Sequence, residues 1–383
     1  MANNNKHTGP NVPALRFPEF SGEWECVPLS TYAKKITEKN KGNKIKNVLC
    51  NSATRGIVPQ SEYFDREIAN NENTDGYYVV RNQDFVYNPR KSVSAPYGPV
   101  NIYNGEDDGI ISPLYLCMKI RGIDKNYLLH YFKSPAWYPY IYQNGDSGVR
   151  HDRVSIKDEV FLAMPVSVPN GDEQRKIAKF LDAINERIAT QSKIIEEQET
   201  LLKSLADKMF LQNNFSCQLS ELVNIEKGKQ LNADTLSETG DYYVMNGGIT
   251  PSGYYSEYNV PAGAISISEG GNSCGYVQFN EKPFWSGGHC YSLQCRTNLV
   301  DYKYIYYYLK TKEADVMALR IGSGLPNIQK KDIEKFTITY PSLQLQKQFV
   351  KALDALSGKI NTEKQLLEKY CQQKSYLLSQ MFI

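Results

Sequence analysis

Two long helical segments repeat within this chain, and they constrain its fold more than any other feature. The first begins PNGDEQRKIAKFLDAINERI at Pro169, and the second begins PSLQLQKQFVKALDALSGKI at Pro341, 172 residues later. The two align without a gap from 169–210 onto 341–382. A unit that occurs twice in one chain indicates an internal pseudo-dimer. We therefore expect the two halves to bind their partners through a two-fold relation.

The apolar residues of both segments recur in alternating steps of four and three. This 3.5-residue period is typical of helices that pack along a supercoiled seam, and it favours mutual packing over two amphipathic helices on separate cores. Gln191 and Glu363 occupy equivalent polar slots in the seam, where they are expected to fix the antiparallel register. The predicted seam residues are Ile177, Leu181, Ile184, Ile188, Ile195, Leu202, Leu205, Phe349, Leu353, Leu356, Ile360, Leu367 and Leu377.

Connectivity determines the direction of the two helices. The first helix ends where the second globular region begins, so a second helix that packs along the first must run back, antiparallel to it. About 39 residues at roughly 1.5 Å each give a rod near 58 Å. The sequence thus predicts an α+β chain: two mixed α/β globular domains separated by a long antiparallel two-helix coiled coil, with internal pseudo-two-fold symmetry. The predicted boundaries are 1–20 (a flexible N-terminal tail), 21–170 (first domain), 171–212 (first helix), 213–342 (second domain) and 343–383 (second helix).

The globular regions contain many short β-strand runs broken by Gly, Asn and Pro. In the first, runs at 77–80 and 84–87 predict two strands joined by a turn at 81–83, and runs at 241–244 and 263–267 hold the comparable places in the second. Each region then has a short predicted helix (127–134 and 304–311) and a glycine loop. The repeat is much weaker here than in the long helices. This difference indicates that the helices face similar partners and the globular regions different ones.

Composition excludes several classes of protein. The net charge is +2, so any site for a polyanion must be local. The eight cysteines never form a Cys-x-x-Cys pair, and His289-Cys290 with Cys295 matches no zinc template. No stretch of 18 apolar residues is present. We therefore predict a cytoplasmic chain with free thiols, no metal and no membrane contact.

With these features in place, the chain resembles the specificity (S) subunit of Type I restriction–modification systems. The resemblance is carried by the start LRFPEFSGEWECVPLS around Trp24, the QDFVYNP run that ends at Pro89, the Ser-Gly loops, and two P-x(3–4)-Q-x-x-I/F-x-x-x-L-D segments. The order of globular region, helix, globular region and helix covers nearly the whole chain. One departure is Leu345, where the first repeat has Glu173 and the family usually has an acidic residue.

The resemblance implies that each globular region is a target-recognition domain that reads one part of a split double-stranded DNA sequence. It implies that the helices form a spacer and dock two modification subunits, which methylate adenine with S-adenosylmethionine. Restriction subunits that use ATP and Mg²⁺ join where a system includes them. The chain itself then carries no cofactor and no chemistry of its own. Physical reasoning agrees, because B-DNA has dyads perpendicular to its axis and paired readers bind half-sites about 34–36 Å apart per helical turn.

Basic residues in loops are the candidate DNA contacts. The lysine-rich run between Lys34 and Lys46 suits phosphate binding, although such runs are also common in solvated loops. Arginines at loops after a glycine or a turn can approach base edges, where a bidentate contact to guanine discriminates by about 1–3 kcal/mol. The candidates are Lys34, Lys35, Lys44, Lys46, Arg90, Lys91, Arg150, Arg153, Lys227, Lys229, Arg320 and Lys330.

Two other classes of protein are alternatives. A stand-alone DNA-modifying enzyme is disfavoured, because Arg90 and Lys91 follow Asn88-Pro89 where an Asn-Pro-Pro-Tyr methyltransferase site needs a second proline and a stacking aromatic. No G-x-x-x-x-G-K-[ST] phosphate loop is present either. The second alternative is a coiled-coil assembly scaffold that does not read DNA, since a fold alone does not establish function.

Overall fold

The computed structural model describes residues 11–63, 74–145, 152–211, 215–322, 324 and 326–383. The chain divides into two compact units: unit 1 is Met1–Thr190 with Leu367–Ile383, and unit 2 is Gln191–Leu366. Both units mix helices with strands, and two helices of about 40 residues each contribute one part to each unit. The predicted fold class, two mixed α/β domains with a pair of long packed helices, is confirmed.

The described part of unit 1 contains ten short strands. They are β1 (Glu25–Pro28), β2 (Ala33–Lys35), β3 (Leu49–Ser52), β4 (Gly56–Pro59), β5 (Tyr78–Val80), β6 (Phe85–Tyr87), β7 (Val100–Ile102), β8 (Gly109–Ile111), β9 (Leu116–Ile120) and β10 (Pro165–Val168). Its helices are α1 (Gln60–Tyr63), α2 (Lys125–Lys133), α3 (Tyr138–Asn144), α4 (Asp158–Leu162) and the first half of α5 (Gly171–Phe210).

Unit 2 has nine described strands, against ten in unit 1, and its elements follow a similar order. Its strands are β11 (Phe215–Gln218), β12 (Val223–Lys227), β13 (Tyr242–Met245), β14 (Tyr254–Tyr255), β15 (Ala264–Ser268), β16 (Val277–Asn280), β17 (Trp285–Ser286), β18 (Cys290–Cys295) and β19 (Thr337–Tyr340). Its helices are α6 (Leu219–Leu222), α7 (Tyr302–Thr311), α8 (Glu313–Ala318), α9 (Lys330–Glu334) and α10 (Leu343–Gln380), whose last part belongs to unit 1.

Each unit is built on a four-stranded antiparallel sheet of the same topology. The strand order is β2-β9-β6-β7 in unit 1 and β12-β18-β15-β16 in unit 2. In β15, Ile265 and Ile267 alternate with serines, so the isoleucines lie on one face, in the hydrophobic core. On the other face, the hydroxyl of Ser266 accepts a hydrogen bond from Asn280 at 2.9 Å. A separate two-stranded ladder, β1 with β10 or β11 with β19, precedes each long helix.

A buried glutamine joins each long helix to the short helix of its unit. In unit 1, Oε1 of Gln174 accepts the backbone N–H of Asp124, the N-cap of α2, at 2.9 Å. The amide of Gln174 donates to the carbonyl of Pro169 at 2.8 Å. Further along both helices, Nε2 of His130 lies 2.8 Å from a carboxylate oxygen of Asp182.

Unit 2 repeats this framework contact by contact. Gln346 accepts the backbone N–H of Asp301, the N-cap of α7, at 2.7 Å and donates to the carbonyl of Pro341 at 2.8 Å. The hydroxyl of Tyr307 donates to Asp354 at 2.7 Å, in the place of the histidine contact in unit 1. The repeat seen in the sequence is therefore also a repeat of the hydrogen bonds that fix the short helix.

The long helices pack antiparallel. In unit 1, Ile177 and Leu181 near the start of α5 share a core with Leu377 near the end of α10. In unit 2, Phe210 at the end of α5 shares a core with Phe349 near the start of α10. The structure buries the predicted seam residues Ile177, Leu181, Ile195, Phe349, Leu353, Ile360 and Leu377, and it half-buries Ile184, Ile188, Leu202, Leu205, Leu356 and Leu367.

The two polar residues of the seam, Gln191 and Glu363, contact each other within unit 2. Nε2 of Gln191 donates to Oε2 of Glu363 at 2.6 Å, and the Gln191 side chain is buried. A polar pair in an otherwise apolar seam penalises any shift that would separate its members. This contact is the arrangement that the register prediction requires.

The strands predicted at 77–80 and 84–87 exist, but they do not pair with each other. β5 pairs with β8, whereas β6 pairs with β7 and β9. The turn between them is present, since Asp84 donates its backbone N–H to the carbonyl of Arg81 at 2.9 Å and Gln83 adopts a φ of 69°. The turn thus passes the chain from one sheet to another, and the three-residue strands find their partners further along the chain.

Residues 11–20, assigned to a flexible tail from the sequence, are held against unit 1. Nε of Arg16 donates to Oε1 of Glu173 at 2.7 Å, and the indole of Trp24 donates to the same oxygen at 3.3 Å. The Glu173 side chain is fully buried, and a buried carboxylate requires a charged or hydrogen-bonded partner. The departure at Leu345 has a matching explanation, because this leucine packs against the core of unit 2 and needs no such arginine.

We expect Gly358→Ala to stabilise the chain by about 1 kcal/mol. Gly358 lies inside α10, and an added Cβ would meet no atom within 4 Å, so alanine gains helix propensity without a clash. Gly263→Ala is the matched control, because its site is equally open but its φ of 77° costs an L-residue roughly 1–2 kcal/mol. Urea unfolding midpoints should move in opposite directions, and a shift of both in one direction would contradict this expectation.

We expect His130 to make unit 1 sensitive to acid. Burial lowers the pKa of His130 below its usual value, although Asp182 opposes this shift, and Lys374 and Lys133 add to it. A lowered pKa in the folded state means that stability is complete above the unfolded pKa, about 6.5, and is lost as the pH falls from there towards the folded pKa.

His130→Tyr places the residue of the second repeat in unit 1 and removes the titrating group. Melting temperatures measured at pH 7.5, 6.5 and 5.5 should fall less steeply for this variant than for the parent chain. His289→Gln is the control, because His289 is largely exposed and its replacement should leave the slope in place. Parallel slopes for His130→Tyr and the parent chain would rule out His130 as the acid-sensitive group.

Candidate nucleic-acid interface

The strands β6 and β15 leave their sheets at equivalent edges. Phe85 pairs with Met118 in unit 1 as Ile265 pairs with Leu293 in unit 2. Counting from these pairs, Pro89 and Arg90 in unit 1 correspond to 269 and 270 in unit 2. Each exit then forms a bridge to the segment before the long helix, at 153 in unit 1 and at 327 in unit 2. The edge is the same in both units, but its side chains differ.

In unit 1 this edge presents guanidinium and ammonium donors. Arg90 forms a backbone bridge with Arg153, and Lys91 donates its backbone N–H to the carbonyl of Asp152 at 2.8 Å. The structure thus brings together three of the predicted contacts. Nε of Arg90 lies 3.9 Å from the Asp152 carboxylate, and the Arg90 side chain is 66% exposed. Such a long exposed ion pair contributes little, so the guanidinium remains available to a ligand.

A pocket of about 460 Å³ lies beside these donors in unit 1. It is lined by the β3–β4 hairpin, by Arg90 and Lys91, and by several tyrosines and asparagines. A buried asparagine network fixes the hairpin to the sheet. The amide of Asn51 donates to the carbonyl of Val86 at 2.7 Å, and the amide of Asn101 donates to Oδ1 of Asn51 at 2.6 Å. A buried hydrogen-bond network of this kind holds the residues that line a site in one geometry.

The lysine-rich run divides between a strand and a loop. Lys34 and Lys35 lie on β2 and point to opposite faces, whereas Lys44 and Lys46 are exposed in the following loop. Lys35 forms an ion pair of 2.5 Å with Asp158, which raises the pKa of the lysine. Within the described ranges, Lys34, Lys44 and Lys46 form no ion pair. These three are among the lysines of the run whose charge is open to an anion.

In unit 2 the same edge carries a carboxylate that sequence reasoning missed. Glu269 directly follows β15, and its residue is 8% exposed. Its Oε1 accepts from Nζ of Lys227 at 2.6 Å and from the hydroxyl of Tyr291 at 2.9 Å. Its Oε2 lies 3.4 Å from Nδ1 of His289. The available signal was the glutamate that ends the strand run AISIS, at the place where QDFVYNP ends in unit 1.

The remaining candidate contacts of unit 2 are dispersed. Lys229 is exposed and its backbone N–H donates to Ser286, while Lys330 begins α9 and lies 3.6 Å from Glu334. Arg320 is exposed and precedes a bridge between 321 and 327. Lys227, in contrast, contacts the Glu269 carboxylate. The predicted contact Arg150 lies outside the described residues.

The part of the chain that the structure describes has no group of three His, Cys, Asp or Glu side chains able to hold a metal ion. The eight cysteines are free thiols. None of the described helices is long and apolar enough to span a membrane. The arrangement at the two edges is suited to hydrogen bonding with a polar ligand.

Comparison with known proteins shows which family this chain is similar to. Residues 214–369 match the model of the Type I restriction modification DNA specificity domain. A putative type I specificity subunit of Mycoplasma pneumoniae is 34% identical over 152 residues, which are 39% of this chain and 40% of that protein. One of Mycoplasma genitalium is 28% identical over 195 residues, 47% and 49% of the two chains. The chain thus spans about half the length, or less, of these relatives.

Two relatives cover more of the chain. A putative type I restriction enzyme specificity subunit of Methanocaldococcus jannaschii is 24% identical over 315 residues, 71% of this chain and 72% of that protein. The crystal structure of a Type I S subunit from M. genitalium superposes with a TM-score of 0.62 at 19% identity, covering 97% of this chain and 99% of that one. At this identity the superposition shows the shared fold.

Proposed function

We propose that the chain is a specificity subunit of the Type I restriction–modification family, a targeting subunit and not an enzyme, and that it reads a two-part sequence in double-stranded DNA. Unit 1 reads one part and unit 2 reads the other. The part between them is spanned and not read. Because the two reading edges differ in chemistry, the two half-sites differ in sequence.

One observation carries this proposal. The two units share a sheet topology and the glutamine framework of the long helices, yet at one equivalent edge Arg90 stands in unit 1 and Glu269-Gly270 in unit 2. A scaffold without a reading function would have no reason to keep the framework and to vary this edge. Direct readout of base edges requires such a change, because donors and acceptors select different bases.

The long helices, which repeat in the two units, indicate the partners of the chain. We propose that the long helices dock two adenine methyltransferase subunits, one per repeat. S-adenosylmethionine would be bound by those subunits, and ATP with Mg²⁺ by restriction subunits where they are present. The supporting observation is that the contacts of the long helices recur, since Asp182 in α5 and Asp354 in α10 each contact the short helix of their own unit.

Arg90→Ala tests the reading function. The tagged chain, purified with its methyltransferase subunits, would be used to select duplexes from a randomised library. We expect the parent chain to enrich a split sequence and the variant to lose about tenfold in preference at one or two positions of one half-site. Arg121→Ala is the matched control, because Arg121 is exposed at the opposite end of β9 and should leave both half-sites unchanged.

Two outcomes would count against the proposal. Enrichment of no sequence by the parent complex would favour the assembly scaffold. Methyl transfer by the isolated chain would favour a stand-alone enzyme.

The exposed lysines of unit 1 should control salt dependence without affecting sequence choice. Replacing Lys34, Lys44 and Lys46 by alanine should reduce the slope of log K against log salt by up to about 0.9 for each phosphate that the variant no longer binds. The charge-matched control replaces the exposed Lys203, Lys208 and Lys369 of the long helices. Titration of one fixed duplex at several salt concentrations gives the slopes, and equal slopes for the two triple variants would exclude these lysines as phosphate ligands.

A further inference from the structure

The Glu269 carboxylate has an unused acceptor at the edge of unit 2. The residue is only 8% exposed, and its Oε2 atom has no hydrogen-bond partner among the described residues. A buried acceptor without a donor costs about 1–3 kcal/mol, and more when it is charged. The other oxygen accepts from both Lys227 and Tyr291. The structure thus keeps one carboxylate oxygen fixed in direction and without a hydrogen bond, with Nδ1 of His289 3.4 Å away.

The Oε2 atom itself is buried, but the imidazole beside it lies at the surface. The imidazole of His289 lies 3.4 Å from Oε2, and that side chain is 62% exposed. Position 270, where unit 1 has Arg90, is a glycine, and so is 271. A Cβ at Gly271 would meet no atom within 4 Å, and one at Gly270 would meet only Pro326 and His289, at 3.6 Å or more. A ligand can therefore approach this edge closely, and it reaches Oε2 once the exposed His289 side chain moves aside.

The position of the oxygen matches the reading edge described above. Lys227 ends β12, Glu269 follows β15 and His289 precedes β18, so the three lie at one end of neighbouring strands. The equivalent end in unit 1 presents donors around Arg90. The two edges therefore offer opposite hydrogen-bonding character to whatever occupies them.

We infer that Glu269 determines specificity in unit 2 by accepting a hydrogen bond from the exocyclic amino group of cytosine or adenine in the major groove. This inference rests on the proposed function. Cytosine N4 and adenine N6 are the major-groove donors, whereas guanine O6 and thymine O4 are acceptors. Lys227 anchors the carboxylate, and the exposed His289 side chain lies beside the oxygen that makes no hydrogen bond. Binding of the amino group satisfies the acceptor that the free protein leaves without a donor.

Glu269→Gln tests this assignment with an isosteric change. Lys227 and Tyr291 both donate to the Oε1 position, so the amide oxygen must remain there and the new NH₂ group must take the place of Oε2. The acceptor becomes a donor. We expect the selected sequence to invert at one base pair of the unit 2 half-site, with a keto oxygen replacing the amino group, or the preference there to fall about tenfold.

Glu226→Gln is the matched control. Glu226 neighbours Lys227 on β12 but faces the other side of the strand and is exposed. Library selection with the purified complex should give the parent sequence for this control. The half-site read by unit 1 should be unchanged in both variants, which also reports that the chain is folded.

The remaining outcomes distinguish failure of the proposed function from failure of this inference. If the parent complex enriches no sequence, the proposed function fails before this inference is reached. If the parent complex enriches a split sequence and Glu269→Gln enriches the same one, Glu269 does not read a base. A uniform loss of enrichment over both half-sites would mark Glu269 as a structural residue and would also overturn the inference.

Discussion

The glutamine at the start of each long helix is the contact on which the rest of each unit depends. Gln174 is 7% exposed and Gln346 is fully buried. Each side chain binds the N-cap residue of a short helix and the proline carbonyl at the end of the preceding strand. An amide has both a donor and an acceptor, so one residue fixes the strand exit, the short helix and the long helix at once. Removing it would leave buried backbone groups without partners.

The contacts of this glutamine form a clamp that is the same in both units. Each unit therefore has a repeated end, at the clamp, and a variable end, at the strand exits. The four-stranded sheet runs between them, with the short helix packed on it and the long helix held at the glutamine. At the far edge, strand exits end in loops whose side chains do not contribute to the clamp. Substitutions there, such as arginine against glycine at 90 and 270, leave the framework hydrogen bonds unaltered. The architecture thus permits the side chains of the variable edge to change while the contacts of the long helix are retained.

The long helices and their seam follow directly from the sequence, because a 3.5-residue period is a local property of the chain. The two mixed domains are also indicated by the short β runs. The fixed position of Arg16 is not indicated by the sequence, because its partner Glu173 lies 157 residues away and only its burial identifies it. The pairing of Lys35 with Asp158 has the same character. Neither ion pair leaves a local pattern that could be read in advance.

Glu269 shows the same limit at the site itself. Its equivalence to Pro89 depends on strand register, which different loop lengths conceal in the sequence. Its importance depends on its burial, which cannot be predicted from the pattern of charged residues in the sequence. The basic residues were easier to propose because exposed lysines and arginines form visible runs, yet several of them are dispersed in unit 2. A buried polar residue at a site is thus harder to find from sequence than an exposed basic run.

Because of the Arg16–Glu173 ion pair, the first half of the chain needs a segment that the second half does not need. A gene duplication that copied the first half would have to carry the arginine-bearing segment with it, or leave an ionised group in the core without a counter-charge. The second half carries Leu345 at that place and is free of this requirement. Rebuilding the molecule as a symmetric homodimer should therefore be easier from the half that begins after α5 than from the half that ends with α5.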